Sequence, residues 1–131
     1  GAIAGGLVSS CHDCSEGGLA LAVAEMAMSG ELGAELELDK VPMAGGLIRA
    51  DDWVLFSESN GRYLVEVREA HREAFEARFS GLPCAPVGRV TDTQALSVRG
   101  GADTLFTLSL SVIEHAWRGH VAPVMSGEEQ R

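Results

Sequence analysis

The chain has 131 residues, 46% hydrophobic and 22% charged, a composition typical of one globular domain and unlike disordered or repeat proteins. Ten Lys and Arg against nineteen Asp and Glu give a net charge of -9. That field repels phosphate backbones and anionic lipid, which excludes nonspecific nucleic-acid binding.

No apolar run approaches the roughly 18 residues of a membrane span, and the amino terminus lacks the basic-then-apolar pattern of a secretory leader. Three cysteines, an odd number, suit a reducing compartment. A cytoplasmic protein is expected. Residues 1–10 are small and apolar and carry no initiator Met, so the chain is expected to be one domain, 1–131, excised from the carboxy-terminal part of a larger enzyme.

In chain order, Leu19, Val23, Met26 and Ala27 fall at helical spacing. They predict a helix over 15–29 with Asp13 or Ser15 as its cap and Gly30 as its stop. Its small side chains mark it as a core helix. Gly33 to Leu38 alternates like a half-buried strand, and 39–46 reads as a loop. A short helix is expected over 50–56, a turn over 57–61 and a strand over 62–67. Ala70, Ala74, Phe75 and Arg78 predict a helix over 69–79 ended by Gly81 and Pro83.

Strands follow over 86–90, 95–99 and 104–108, the last two forming a hairpin across Gly100-Gly101-Ala102-Asp103. A closing helix over 110–125 has Leu110, Ile113 and Trp117 as its stripe and a Glu114–Arg118 pair. Trp117 and Phe106 are assigned to the core and His71 to the surface. The order of elements predicts an α+β fold of mixed α/β layers, with a mixed sheet covered by helices.

Two segments can carry chemistry. In the first, His12, Asp13 and Ser15 run into Gly17-Gly18 and a helix amino terminus. Free amides there can meet phosphate and Asp13 can hold Mg²⁺. Equally, Asp13 or Ser15 can cap the helix while the glycines allow tight packing. In the second, Ser57, Glu58, Ser59 and Asn60 sit at a strand entrance, where they can face a ligand or form a solvated turn.

Cys11 and Cys14 have C-x-x-C spacing, yet no apolar strand of thioredoxin type precedes them. The remaining Cys84, His71, His115 and His120 are scattered and not at zinc-ligand spacing. Idle thiols are the favoured reading.

Together, Ser10-Cys11-His12-Asp13-Cys14-Ser15-Glu16-Gly17-Gly18-Leu19-Ala20 and Leu55-Phe56-Ser57-Glu58-Ser59-Asn60-Gly61-Arg62-Tyr63 resemble the carboxy-terminal domain of the aminoimidazole ribonucleotide synthetase superfamily. Within it they are most similar to the phosphoribosylformylglycinamidine synthase branch. Val87-Gly88-Arg89-Val90 and the Trp117-bearing final helix extend the resemblance over nearly the whole chain. Cys14, Glu16 and Asn60-Gly61 depart from the usual residues. Selenophosphate synthetase, thiamine phosphate kinase and the carbamoyl-handling hydrogenase maturation factor share the architecture with different turns.

The resemblance implies an ATP-dependent ligase of purine biosynthesis that converts formylglycinamide ribonucleotide and glutamine-derived ammonia to the amidine. It implies ATP or ADP with Mg²⁺ as ligands. The partners would be a nucleotide-binding N-type domain of the same subunit and a glutaminase subunit or domain, and the isolated domain could pair with itself. His12, Asp13, Ser15, Gly17, Gly18, Ser57, Glu58 and Ser59 would line an auxiliary nucleotide cleft, with Asp13 toward the metal and no catalytic residue supplied by this chain. The alternatives are a non-catalytic docking domain of the same superfamily and the corresponding domain of another member such as aminoimidazole ribonucleotide synthetase.

Overall fold

The computed structural model describes residues 1–43, 45 and 50–125, the last six by backbone alone. Strand β1 (Ser10–Asp13) pairs antiparallel with β3 (Tyr63–Glu66), from Ser10 opposite Glu66 to Asp13 opposite Tyr63. The ladder continues past both ends, Ser9 N–H donating to the Glu66 carbonyl and Cys14 N–H to that of Arg62. The first of the two singled-out segments therefore opens with a strand, Ser10–Asp13. Its partner lies fifty residues away, so no local pattern marks it.

Helix α1 (Gly18–Gly30) follows, beginning three residues later than the expected 15–29. Its buried side is Leu19, Ala22, Val23 and Ala27, the small-residue core face read from the sequence. Its stop is Glu31, in the left-handed region at φ 53. Leu32 N–H reaches back to the Ala27 carbonyl and Glu31 N–H to that of Met28, a Schellman ending usually built on glycine.

Strand β2 (Gly33–Glu37) leads through a 3-10 turn (Leu38–Lys40) toward α2 (Asp51–Phe56). Of the loop expected over 39–46, residues 44 and 46 lie outside the described residues. After β3 come a 3-10 turn (Glu69–His71), which holds a half-buried His71, and α3 (Arg72–Arg78). Then follow β4 (Gly88–Thr91), β5 (Ala95–Gly100), β6 (Asp103–Ser109) and α4 (Leu110–Met125). The polar tail expected after 125 lies outside the described residues.

The main sheet has the order β4-β2-β5-β6. It is mixed because β2 and β5 run parallel while β4 and β6 are antiparallel to their neighbours. Gly100 opposite Asp103 closes the expected hairpin through Gly101 and Ala102. Positive φ at Gly101 alone of these two is the pattern of a type II′ turn.

One face of the sheet presents Leu36, Leu96 and Val98 to Leu19, Ala22 and Val23 of α1 and to Val54 and Leu55 of α2. The other face is polar, with Arg89 bound to Glu35 at 2.8 Å and the Ser97 and Thr107 hydroxyls 3.1 Å apart. Helices thus cover one side of a mixed sheet, the α+β arrangement expected.

Phe106 packs against the core as expected, whereas Trp117 is 51% exposed. Helix α4 docks through Leu110 and Ile113, and every side chain from Glu114 to Gly119 is exposed. The stripe continues along the helix after its supporting layer has ended.

Candidate functional site

The fold brings the two singled-out segments into direct contact. Gly18 has φ 63, and a Cβ there would lie 2.8 Å from the carbonyl oxygens of Leu55 and Ser57. Only glycine admits that backbone-on-backbone approach. Beside it, Gly17 (φ 72) donates its N–H to Glu58 Oε1 at 2.9 Å.

The acceptor at the entrance of α1 therefore comes from a residue 41 positions away. Neither Asp13 nor Ser15 caps the helix. Gly17 is the cap residue, and Ser15 contributes only its carbonyl, to Gly18 N–H at 3.2 Å. Asp13 cannot turn inward because it belongs to β1, where alternation sends its side chain to solvent at 65% exposure.

Cys11 is exposed and Cys14 buried, so the C-x-x-C spacing does not present two accessible thiols. Burial pushes the Cys14 thiol up, against a smaller opposing pull from Arg62, away from the reactive thiolate range. Among the described residues no three His, Cys, Asp or Glu side chains gather at metal-ligand spacing.

His12 turns inward from β1. Its Nδ1 lies 2.6 Å from the Asp13 carbonyl oxygen and its Nε2 2.5 Å from Glu25 Oε2. Both acceptors favour a doubly protonated ring. The backbone bond to Asp13 and the Glu25 carboxylate together raise its pKa above 6.5, against the lowering effect of burial. Glu25, the lone charge beyond the first turn of α1, is thus a partner that the sequence pattern did not assign.

Ser57, Glu58 and Ser59 form the turn between α2 and β3, with the Ser57 and Ser59 hydroxyls 3.4 Å apart. A residue absent from the sequence-based site holds this turn. Arg62 Nη1 donates to Ser57 O at 3.1 Å and to Ser57 Oγ at 2.7 Å, and Nη2 donates to Val54 O at 3.1 Å. The only sequence signal was an arginine directly after a polar turn, which is indistinguishable from a solvated strand end.

A cavity of about 260 Å³ lies elsewhere, between α1, β3, α3 and the segment before β4, lined by Val23, Met26, Leu64, Phe75 and Val87 among others. None of the eight predicted site residues lines it. The cations at its margin are engaged, Arg72 with Glu76 and Arg89 with Glu35. Polar chemistry concentrates at the Gly17–Glu58 junction and not in this apolar space.

The family model of the AIR synthase related protein C-terminal domain matches residues 1–101. Phosphoribosylformylglycinamidine synthase subunit PurL of Moorella thermoacetica is 42% identical over 126 residues, covering 95% of this chain and 16% of that protein. The Rhodospirillum rubrum protein of the same name is 46% identical over 102 residues, covering 76% of this chain and 13% of its own length. The chain thus spans less than a fifth of these relatives.

Among solved structures, Thermotoga maritima PurL complexed with ATP superposes with a TM-score of 0.76 at 23% identity, over 86% of this chain and 20% of that one. A HypE-HypF complex gives 0.62 at 17% identity, over 82% and 37% respectively. With its mixed sheet, its helical cover and a family match over most of its length, the chain belongs to the AIR synthase related proteins as a C-terminal domain of that family.

Proposed function

We propose that the chain serves as the carboxy-terminal domain of an ATP-dependent carbon–nitrogen ligase of the phosphoribosylformylglycinamidine synthase type. In that enzyme it shapes one wall of an auxiliary nucleotide cleft and supplies no catalytic residue. The supporting observation is the Gly17–Glu58 bond, which joins the two motif segments into one surface.

The parent reaction divides into two displacements. The amide oxygen of formylglycinamide ribonucleotide attacks the γ-phosphorus of ATP and ADP leaves. Ammonia then attacks the activated carbon, and phosphate leaves with the oxygen. Positioning and charge neutralisation provide most of the acceleration in phosphoryl transfer.

Asp13 is the residue that would hold Mg²⁺. A single exposed carboxylate fits an ion shared with phosphate oxygens and water better than a cage built from protein alone. When bound, Mg²⁺ neutralises phosphate charge. Around it the chain's own groups orient and exclude. Gly18 lets the end of α2 pack against the start of α1, Ser57 and Ser59 offer hydroxyls, and Glu58 holds the α1 entrance in place.

The N-type domain of the same subunit is the partner, with a glutaminase subunit or domain as the ammonia source and the cytoplasm as the compartment. Among the described residues no helix is long and apolar enough to cross a membrane. Trp53, Phe56 and Tyr63, at 60%, 54% and 66% exposure, flank the Ser57–Asn60 turn in sequence and supply an apolar rim for the N-type domain.

One observation favours a docking domain without ligand. The Glu58 carboxylate already takes the Gly17 amide, and both His12 ring nitrogens have protein partners. Calorimetric titration of Mg-ATP and Mg-ADP into the chain joined to the N-type domain decides between the readings. Binding that is lost in Asp13→Ala supports the shared cleft. Absence of binding to the joined protein moves the assignment to scaffolding.

A further inference from the structure

We infer that Arg62 is the positioning residue of this site: its guanidinium fixes the Ser57–Ser59 turn and so aims the Glu58 carboxylate at the Gly17 amide. Three observations bear on this one residue.

The first lies at the end of α2. Val54 O belongs to the last turn of that helix, where carbonyls have no partner within the helix, and Arg62 Nη2 donates to it at 3.1 Å. Nη1 reaches past the helix end to Ser57 O at 3.1 Å and Ser57 Oγ at 2.7 Å. A planar fork can hold these three acceptors in a fixed relation, whereas a lysine ammonium acts as a point donor.

The second concerns α1, which meets the Arg62-bound carbonyl. Ser57 O, bound by Arg62, is also one of the atoms that a Cβ at Gly18 would approach to 2.8 Å. That carbonyl is confined between the guanidinium and the start of α1, so residue 58 leaves the turn in one direction, toward Gly17. The third is a backbone contact. The Arg62 carbonyl receives Cys14 N–H at 2.9 Å, tying the same residue to the end of β1 beside Asp13.

Arg62 thus joins β1, α2 and the turn without itself being at the α1 entrance, which makes it a positioning and not a catalytic group. Its effect on ligand binding rests on the nucleotide-cleft reading, while its effect on Glu58 does not. The test separates the two.

In the ¹⁵N-labelled chain the Glu58 carboxylate should protect the Gly17 amide from hydrogen exchange, and Glu58→Ala should abolish that protection. Arg62→Lys should remove most of the protection while the His12 ring resonances, set by the Asp13 carbonyl and Glu25, stay in place. If Arg62→Lys fails to fold, Ser57→Ala, at a half-buried turn position that gives up the hydroxyl acceptor, is expected to weaken the same protection. Full retention of Gly17 protection in whichever of these variants folds overturns the inference.

Mg-ATP titration into the chain joined to the N-type domain supplies the second arm, with affinity in Arg62→Lys expected about tenfold below that of the unsubstituted joined protein, the scale of one charge-assisted hydrogen bond. If the unsubstituted joined protein binds no Mg-ATP but Arg62→Lys still exposes the Gly17 amide to exchange, the positioning role stands and the cleft reading falls.

Discussion

The four-stranded sheet and the two-stranded ribbon are held by different forces. In the sheet, Leu36 and Val98, at 2% and 0% exposure, face α1 and α2, and apolar burial does the holding. In the ribbon, β1 and β3 are only half covered. Their anchors are polar: Ser10 to Glu66 at 2.7 Å, His12 to Glu25, Gly17 to Glu58, and Arg62 to Val54 and Ser57.

A two-stranded ribbon is marginal alone, so its shape depends on these long-range polar bonds. The candidate site lies where this half-covered ribbon meets the start of α1 and the end of α2. The sheet's inner positions accordingly carry Leu36, Leu96 and Val98, while the ribbon carries His, Asp, Ser and Glu.

The largest expected effects probe each region by its own mechanism. Leu36→Ala should cost about 3 kcal/mol in denaturant unfolding, through lost burial and the cavity left behind. Gly18→Ala should cost about 2–3 kcal/mol by a different route, since the added Cβ meets two backbone carbonyls at a positive φ. The contrast sharpens in hydrogen exchange. Leu36→Ala should raise exchange of β2 and β5 amides through global unfolding, whereas Gly18→Ala should release the Gly17 amide at far lower opening energy. Equal protection losses in both regions would show that the ribbon is not a separate energetic unit.

These two regions were also unequally legible. Period-two alternation at Glu35–Leu38 and the Gly100–Asp103 turn located β2 and the β5–β6 hairpin to within a residue or two, because strand burial and turn geometry are encoded locally. The Leu19-Val23-Met26-Ala27 spacing found α1 for the same reason. The ribbon was opaque. Residues 10–13 carry no apolar alternation, and their strand character comes from pairing with β3.

The site residues Gly17, Gly18 and Glu58 were named from motif and resemblance. What joins them is Glu58 reaching Gly17 and Arg62 bracing the turn, and these are tertiary facts that no spacing states. The assignment of a cap to Asp13 or Ser15 failed because it assumed a local partner.

The His12–Glu25 pair tests the polar side of the comparison through pH. The folded pKa of His12 is raised above 6.5, first by its bond to the Asp13 carbonyl and then by Glu25. Its contribution is therefore fully present below pH 6.5 and is lost as the pH rises through the folded value. Glu25→Gln should lower the His12 pKa in an NMR titration. It should also remove about 1 kcal/mol of stability on the acid side of that transition, with a smaller loss above it. An unchanged titration in Glu25→Gln would mean that the Asp13 carbonyl alone sets the ring.

The smallest effect is expected at the joint between the two regions, where α1 hands over to β2. Glu31 holds the left-handed position of a Schellman ending at φ 53, a conformation that costs a residue with a Cβ about 1 kcal/mol. Glycine would remove that cost but add flexibility to the unfolded chain, offsetting part of the gain. Glu31→Gly should therefore stabilise by about 0.5 kcal/mol, seen as a higher denaturation midpoint with an unchanged denaturant slope. Gln94 donates its side-chain amide to the Glu31 carbonyl, a contact that involves the backbone and so survives the substitution. A lower midpoint in Glu31→Gly would show that the glutamate side chain itself contributes to the turn, and that this ending is held by polar contacts as the ribbon is.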